Sequence, residues 1–389
     1  MSGVGEVFLV FLRLGLTSFG GPVAHIAFFR DEFVARRRWL DEEAYAGLVG
    51  FCQFLPGPSS SQVAMGIGLI RARFAGLAAA WIGFTLPSAV LMAAFAYVVA
   101  DTGGAAGASW LHGLKIAAVA VVAQALLAMA ASLTPDGTRR ILALAAAAIA
   151  FLMPTALAQI AALAACGLLG WVLLQPGPPP ATPHVEIGRR IAAVALVSFF
   201  ALLFGLPLLA RWSHALAVAD AFYRSGALVF GGGHVVLPLL RQAVVAPGWI
   251  GDAPFLAGYG AAQAMPGPLF SFAAYLGAAL KDAPNGWAGA VLCLVAIYLP
   301  SLLLLVGAWP VWRAASGHPA LRAALLGVNA AVVGLLLAAF INPVWTGAIF
   351  SPADFFLALA AFLLLQFLRA PSWAVVAGCA LAAGVAGVA

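Results

Sequence analysis

Two halves of this chain repeat each other, which limits the fold to an arrangement of two related units. One group of residues recurs at a constant offset of 211, and a second recurs after a one-residue gap. The matched positions are Phe11, Arg13, Gly15, Phe19, Gly20 and Gly21 with Phe222, Arg224, Gly226, Phe230, Gly231 and Gly232, then Arg30 and Asp41 with Arg241 and Asp252, then Gln53, Pro56, Gly57 and Pro58 with Gln263, Pro266, Gly267 and Pro268, and Pro87-Ser88 with Pro300-Ser301. Ordered agreement that includes rare polar residues indicates a duplicated unit.

The chain is too apolar to be covered by water. Only 8% of its 389 residues are charged and 64% are hydrophobic, whereas a soluble domain carries about 25% charged residues. Lipid is therefore the expected solvent for most of the outer surface. The net charge of +6 is spread over short loops, so we expect no nucleic-acid partner. These properties predict an all-α integral membrane protein.

A proline-rich stretch at 175–188 divides the chain near its middle and has the composition of a linker. The predicted organisation is a first repeat at 1–174, this linker, an unpaired transmembrane helix at 189–210 and a second repeat at 211–389. The arginine-rich loop at 30–38 has only one basic counterpart in the second repeat, whose other basic residues occupy different loops. By the positive-inside rule, the unpaired helix inverts the second repeat, and the N-terminus and linker are cytoplasmic.

Each repeat begins with short apolar segments of about 15 residues, whereas a full span needs about 20. The segments meet at Gly20-Gly21-Pro22 and at Pro56-Gly57-Pro58. This pattern favours short broken or re-entrant helices, with two kinked full spans as the alternative. The predicted segments are 5–19, 22–37, 41–55, 58–72, 74–100, 113–133, 139–153 and 155–174 in the first repeat, and 214–230, 233–246, 252–264, 268–281, 286–310, 319–340, 353–368 and 372–389 in the second.

The Gly/Pro breaks are the predicted binding site, because inverted hairpins bring their tips together near mid-membrane. The helices after the breaks start at Pro22, Pro58, Gly233 and Pro268, and the first N–H groups of a helix have no intrahelical partner. Each start carries about half a positive charge, so converging starts form an anion site. The residues assigned to this site are Gly20, Gly21, Pro56, Gly57, Pro58, Ser59, Ser60, Gly231, Gly232, Pro266, Gly267 and Pro268, with Ser61 and Ser271 as further hydroxyl donors.

Polar side chains at equivalent places in the two repeats extend the predicted site. Arg13 and Arg224 lie in the apolar segments that lead to the tips, where a charge is costly and usually functional. Snorkelling to the headgroups is the alternative explanation. Gln53 and Gln263 precede the tips by three residues, and they either bind substrate or hydrogen-bond a neighbouring helix.

Two histidines, His25 and His234, are the candidates for proton coupling, because an imidazole titrates near pH 6.5. A structural role in the core is the alternative for each. No acidic residue lies plainly in mid-membrane, which argues against an inorganic-cation site. The four cysteines lack CxxC spacing, so neither a metal site nor a disulfide framework is predicted, and no cofactor is implied.

Enzyme motifs are missing from the sequence, including HExxH, the P-loop and GxSxG. A membrane hydrolase that uses Ser60 and His25 is the enzyme alternative, and the lack of a nucleophile motif argues against it. The chain is therefore not expected to be an enzyme.

Three motifs, Phe19-Gly20-Gly21-Pro22, Gln53-Phe54-Leu55-Pro56-Gly57-Pro58 and Gln263-Ala264-Met265-Pro266-Gly267-Pro268-Leu269, resemble the chromate ion transporter family in its long, two-domain form. The resemblance covers about residues 5–369. It implies a multi-pass protein of the bacterial inner membrane that exports chromate as an antiporter, confers chromate resistance and uses the proton-motive force. The second repeat has Gly233 at the position equivalent to Pro22. The helix-start geometry that the resemblance implies is therefore less well supported at Gly233 than at Pro22.

The sequence leaves one alternative open for the substrate and one for the mode of transport. Sulfate is a tetrahedral dianion like chromate, and it is the alternative substrate. An anion channel of the same architecture is the alternative function, and it would show flux far above carrier rates without coupling to a second ion. The expected partners are the oxyanion, the bilayer and a second copy of the chain in a homodimer.

Overall fold

The computed structural model describes residues 3–19, 21–101, 105–153, 155–177, 187–229 and 236–386. These residues form α-helices, short 3₁₀ and π-helical segments and turns, and none of them lies in a β-strand. The helices are α1 Gly3–Thr17, α2 Gly21–Arg30, α3 Glu42–Phe54, α4 Ser59–Asp101, α5 Ala105–Leu133, α6 Gly137–Leu152, α7 Ala156–Leu173, α8 Arg189–Leu209, α9 His214–Ala227, α10 Val236–Leu240, α11 Asp252–Ala264, α12 Phe272–Ala278, α13 Gly286–Gly317, α14 Pro319–Ala339, α15 Pro352–Gln366 and α16 Ser372–Ala386.

Five helices in the described part of the chain are long and apolar enough to cross a membrane. They are Ser59–Asp101, Ser109–Leu133, Arg189–Trp212, Gly286–Pro310 and Pro319–Trp345. Several shorter apolar helices accompany them, including Leu157–Leu173 and Pro352–Gln366. The all-α membrane class predicted from composition is confirmed at this level.

The short helices at the start of the first half double back on each other. Phe11 of α1 stacks edge-on against Phe29 of α2, with ring centroids 5.7 Å apart. Glu6, at the start of α1, pairs with Arg37 at 2.9 Å and with Arg71 at 3.3 Å. A kinked full span would separate Glu6 from Arg37 by the length of two helices. These segments are therefore hairpins, with their ends together and their tips at the Gly/Pro breaks.

The second half contains the same kind of hairpins. His214, the first residue of α9, lies against Trp249 with ring centroids 4.9 Å apart. The Tyr275 hydroxyl of α12 donates to the carbonyl of Pro254 at the start of α11 at 2.8 Å. Helix α12 ends at Ala278 rather than at 281 as predicted. The chain turns away there because the Lys281 N–H donates to the Trp249 carbonyl at 3.2 Å.

A long helix, α4, joins the hairpins of the first half to the start of α13. It breaks at Ala72 and Arg73, where φ is −145° and +55°, at the boundary predicted between 58–72 and 74–100. Arg71, before the break, bonds to Glu6. Tyr97, near the far end, stacks with Trp287 of α13 at 6.2 Å. Helix α4 thus runs from the hairpin ends of the first half to a region beside those of the second.

Side-chain caps fix where several helices begin. Asp136 accepts the N–H of Arg139 at 2.9 Å at the start of α6, and this bond lowers the pKa of its carboxyl. Ser351 and Asp354 form a reciprocal capping box at the start of α15. The other side-chain caps are Asp41 at α3, Thr155 at α7 and Ser213 at α9. These caps explain why the predicted starts of α6, α7 and α9 fall within about two residues of the observed ones.

The two halves share one interior. The largest buried cluster combines residues of α4 to α7 with residues of α9 to α15. Helix α14 packs between α6 and α7, and its glycines permit close backbone contact. A Cβ on Gly334 would collide with the Ala143 carbonyl, and one on Gly327 would collide with the Cys166 carbonyl. The second half is therefore built onto the α6–α7 hairpin of the first.

Candidate functional site

The two Pro-Gly-Pro turns at the hairpin tips need glycine for a backbone reason. Gly57 has φ +121° and Gly267 has φ +90°, conformations that side chains with a Cβ rarely adopt. Each turn ends one helix and sends the chain back, as α3 to α4 and as α11 to α12. The duplicated motif thus produces the same unusual geometry in both halves.

The two turns dock reciprocally across the halves. The Gly57 N–H donates to the Val229 carbonyl at 2.6 Å, and the Gly267 N–H donates to the Ser18 carbonyl at 2.9 Å. Ser18 and Val229 are themselves equivalent positions, 211 residues apart. Each turn therefore caps the segment that precedes the Phe-Gly-Gly motif of the other half. The predicted convergence of tips holds for these described residues, whereas Gly20, Gly231, Gly232 and His234 lie outside the described residues.

Two serines of the long helices lie behind the turns. A Cβ on Gly57 would collide with Ser301 Oγ of α13, and one on Gly267 would lie 3.0 Å from Ser88 Oγ of α4. Both serines are fully buried and follow a proline inside their helix. The Pro-Ser pairs were recognised in the sequence only as repeat markers. Because helix packing across the halves brings them to the tips, sequence spacing alone did not assign them to the site.

A cluster of buried neutral polar groups surrounds the tips. Its side chains are at most 3% exposed, and they are Ser18, His25, Ser60, Ser61, Gln62, Thr85, Ser88, Ser271 and Ser301. The Tyr298 hydroxyl lies next to Ser61 and Thr85. Ser18 Oγ, Gln62 Oε1 and Ser301 Oγ have no hydrogen-bond partner within the described part of the chain. Buried polar atoms are normally satisfied, so this cluster has capacity to bind a polar ligand.

His25 lies inside this cluster. Its Nδ1 is 3.3 Å from Ser60 Oγ, and its Nε2 is 3.3 Å from the Ser18 carbonyl. The ring also meets Phe84 edge-on at 5.2 Å. The Ser18 carbonyl accepts from both His25 and Gly267. The imidazole therefore connects the first hairpin, the second hairpin and the turn of the other half.

The predicted arginines are not among the buried groups of the cluster. Arg13 is exposed on α1. Arg224 is also largely exposed and pairs with Asp220 one turn earlier on α9. Arg30 bonds to Glu42, with Nε 3.1 Å from Oε2, and Arg241 bonds to Asp252 in the same way at 2.9 Å.

Helix starts supply further donors at the tips. Helix α2 begins at Gly21 and α4 begins at Ser59, as the breaks at Pro22 and Pro58 predict. Ser59 is half-buried and Pro56 accepts a hydrogen bond from Gln62 Nε2 at 2.8 Å. After Pro266-Gly267-Pro268 a single 3₁₀ turn at Leu269–Ser271 comes before α12, so the predicted helix start at Pro268 is displaced by one turn. At the two Pro-Gly-Pro turns, the helix start of the first half is therefore the better formed.

The two glutamines lie in the last turns of α3 and α11, three residues before each Pro-Gly-Pro motif. Gln53 is exposed and lines a cavity of about 210 Å³ with Arg322 and Asn329 of α14. Arg322 donates to the Gly177 carbonyl, and its Nε is buried without a partner among the described residues. Gln263 is half-buried beside the Tyr259 hydroxyl. Arg322 and Asn329 are residues that the repeat does not reveal, because the first half has no matching polar pair.

A smaller cavity of about 70 Å³ lies at the other end of α14. Its polar lining consists of Gln159, Arg241, Gln242 and Asn342. Helix α14 therefore reaches an arginine-containing cavity at each end. Among the described residues no three His, Cys, Asp or Glu side chains are grouped as metal ligands.

Comparison with known proteins identifies relatives that match most of the chain. The family model described as Chromate transporter matches residues 5–171 and 216–385. The Chromate transport protein of Pseudomonas aeruginosa is 28% identical over 355 residues, covering 87% of this chain and 80% of that protein. The Chromate transport protein of Cupriavidus metallidurans is 27% identical over 382 residues, covering 97% and 91%. The Probable chromate transport protein of Synechococcus elongatus is 27% identical over 335 residues, covering 85% and 82%. No solved structure matches the chain.

Proposed function

The chain belongs to the chromate transporter family, and on this premise we propose that it is a secondary active transporter that exports chromate across the bacterial inner membrane, coupled to protons. The observation that carries this proposal is the buried neutral cluster where the turns of both halves meet. The family and the five apolar helices make the chain a multi-pass membrane protein. The relatives are named transport proteins, which agrees with a function other than catalysis.

The donor set suits a tetrahedral oxyanion. A dianion away from water needs several convergent hydrogen bonds. The hydroxyls of Ser18, Ser60 and Ser301, the His25 ring and the first turns of α2 and α4 can supply them. Because the buried groups are neutral, the anion is held by dipoles rather than by a fixed opposite charge. Such binding can be strong enough for recognition and weak enough for release.

The two cavities on α14 are the proposed access routes. Arg322 and Gln53 would attract the oxyanion on one face, and Arg241 and Gln242 would do so on the other. Guanidinium groups pair well with oxyanions and keep their charge. Arg13 and Arg224 remain proposed guiding charges at the hairpins, with Gln263 as a polar neighbour of the second turn.

The proposed topology is an inverted repeat with cytoplasmic linker. Contacts along α4 support it, since Arg71 bonds to Glu6 of the first-half hairpins and Tyr97 stacks on Trp287 beside those of the second half. The hairpins of the two halves then enter from opposite faces and meet at Ser88 and Ser301. A reporter fused at residue 180 is expected to be cytoplasmic, and a periplasmic reporter would contradict the arrangement.

Flux measurements in proteoliposomes test the function directly. Purified protein should exchange chromate across the bilayer at carrier rates, and an outside-acid pH gradient should drive net transport. The same measurement with sulfate tests the alternative substrate. Because sulfate and chromate are both tetrahedral dianions, their relative rates show which of them the protein prefers. Flux at channel rates that ignores a pH gradient would favour the anion-channel alternative. A protein that moves neither anion would contradict the proposal.

A further inference from the structure

A buried ionisable pair lies outside the tip cluster, at the contact of α5 and α15. His112 Nε2 and Asp354 Oδ1 are 2.9 Å apart, and the two side chains are 3% and 1% exposed. Polar and ionisable side chains are rare at such burial in a membrane protein and usually have a function. The oxyanion site does not use this pair.

The carboxylate of the pair is held as an anion. Its other oxygen, Oδ2, accepts the N–H groups of Phe350 at 3.0 Å and Ser351 at 2.9 Å. Three donors on one carboxylate stabilise the ionised form. Asp354 therefore accepts the Nε2–H of His112, and an additional proton would be bound by the remaining imidazole nitrogen, Nδ1.

In the described part of the chain, Lys115 is the charged side chain nearest to the pair. Lys115, one turn along α5, lies 5.6 Å from the centre of the Phe350 ring, and His112 stacks on the same ring with centroids 5.5 Å apart. When the imidazole is neutral, the negative charge of Asp354 and the positive charge of Lys115 cancel. Protonation of His112 adds one positive charge.

The helices packed against α5 carry few titratable groups. In their described residues α11 carries Asp252 and Tyr259, α16 carries only the buried Cys379, and α14 carries Arg322 near its far end. Beyond Asp354, α15 carries none. The imidazole thus has one strong electrostatic partner and one weaker neighbour.

The helix that carries His112 packs directly against the helix that leads to the second Pro-Gly-Pro turn. Leu114, two residues after His112, approaches α11 so closely that a Cβ on Gly260 would collide with its carbonyl. Helix α11 continues directly to Gln263 and the turn at Gly267. A shift of α5 on protonation would therefore move α11, the helix that positions the turn.

We propose that His112, held by Asp354, is the proton-binding site that couples oxyanion transport to the pH gradient. This rests on the proposed transport function and names the group that carries its proton. In each turnover Nδ1 takes one proton from water on the acidic side of the membrane and releases it to water on the other side, so no other reactant is needed. Asp354 and the start of α5 lie at the Tyr97 end of α4, the periplasmic face in the proposed topology. His25, inside the anion cluster, then serves as a hydrogen-bonding ligand.

The test compares His112→Gln with two other histidine variants in proteoliposomes. Glutamine keeps a donor for Asp354 and does not titrate. Chromate counterflow at equal pH should stay within about two-fold of the native rate, whereas accumulation driven by a pH gradient should fall about ten-fold, in the range of coupling between two sites. His318→Gln, at an exposed histidine, is the matched control and should change neither quantity. His25→Asn tests the competing assignment and should lower counterflow.

A second variant and a spectroscopic readout cover failure of the first to fold. Asp354→Asn keeps an acceptor for the helix cap but removes the charge, and should move the pH midpoint of transport about one unit to lower pH. Nitrogen-15 histidine spectra of the protein in detergent should show His112 gaining a proton as the pH is lowered over the range in which a pH gradient drives transport. A His112 that holds one protonation state over this range, or a His112→Gln protein that keeps gradient-driven accumulation, overturns the inference. A native protein that exchanges no chromate overturns the transport function, and the spectra then still decide whether His112 binds a proton.

Discussion

At the scale of single residues, the glycines of the two turns carry the strictest requirement. Both have a positive φ that an L side chain rarely adopts, and Gly57 also faces Ser301 Oγ. Alanine at either position should destabilise the protein by about 1–3 kcal/mol, with the larger loss at Gly57 because its Cβ has less space. Thermal unfolding in detergent measures both losses.

A helix glycine provides the control for these substitutions. Gly205 of α8 has nothing within 4 Å of an added Cβ, so Gly205→Ala should be neutral or raise stability by about 0.5–1 kcal/mol. Equal stability of the Gly57→Ala and Gly205→Ala proteins would contradict the backbone explanation. Stability that survives in Gly57→Ala with anion binding lost would locate the effect in the site.

The equivalent serines offer a prediction with an internal control. Ser301 Oγ is buried without a partner in the described residues, whereas Ser88 Oγ donates to the Thr85 carbonyl at 3.1 Å. Ser301→Ala should therefore leave stability unchanged or raise it by about 1 kcal/mol, while chromate affinity falls. Ser88→Ala should affect affinity less, because that hydroxyl is already engaged. Binding titrations and thermal unfolding on both variants distinguish the cases, and a destabilised Ser301→Ala with native affinity would remove Ser301 from the site.

Residue-level prediction from the sequence succeeded for the backbone conformation of the two turns. Glycine and proline at a duplicated break can be read directly, and Gly57 and Gly267 have the unusual dihedrals that such residues imply. The side-chain donors were harder to predict. Arg13 recurs in the sequence, yet the direction of its guanidinium depends on helix rotation, which a single sequence does not specify. Ser301 reaches the turn only through packing across the halves.

At the scale of helices, the break in α4 gives a test in which the usual effect of glycine is reversed. Arg73 has φ +55° and ψ −147° between two helical stretches, a conformation that is essentially restricted to glycine and costs a residue with a Cβ about 1–3 kcal/mol. Arg73→Gly should be more stable than Arg73→Ala, although glycine in a helix interior is normally the less stable by about 1 kcal/mol. Both variants lose the same charge, so the difference isolates the backbone. Unfolding midpoints in detergent measure it, and a more stable alanine variant would show that the break closes.

Helix boundaries were the most predictable part of the fold. Glycine, proline and capping residues mark them, and α11 begins and ends at the predicted residues 252 and 264. The π-helical turns Asp31–Arg36 and Arg241–Val245 were not predicted. They depend on how each hairpin meets its neighbour, for example through the Arg241–Asp252 ion pair. Local sequence signals specify ends well and tertiary adjustments poorly.

At the scale of the whole molecule, the two halves depend on each other for their interior. Helix α14 of the second half fills the space between α6 and α7 of the first, and α5 packs against α11, α15 and α16. The repeat in the sequence indicates two units, but it does not show how they interlock. The interlocking depends on close backbone contacts between helices, such as those that α14 makes at Gly327 and Gly334.

This interlocking predicts the behaviour of a chain cut in the linker. A first half ending at residue 177, expressed alone, should be unstable, because its surface against α14 would be exposed to lipid with close-packing glycines and no partner. Co-expressed with a second half starting at 187, it should reassemble, since the two fragments keep the bond from Arg322 to the Gly177 carbonyl and the buried side chain of Ile187. Purification through a tag on one half should recover both halves, and the purified pair should exchange chromate in proteoliposomes.

A cut inside α13 after Pro300, which divides a helix that lies at the tips, is the matched control and should abolish assembly. Halves that are separately stable and do not associate would contradict a shared interior, and would place the anion site within one half rather than between the two.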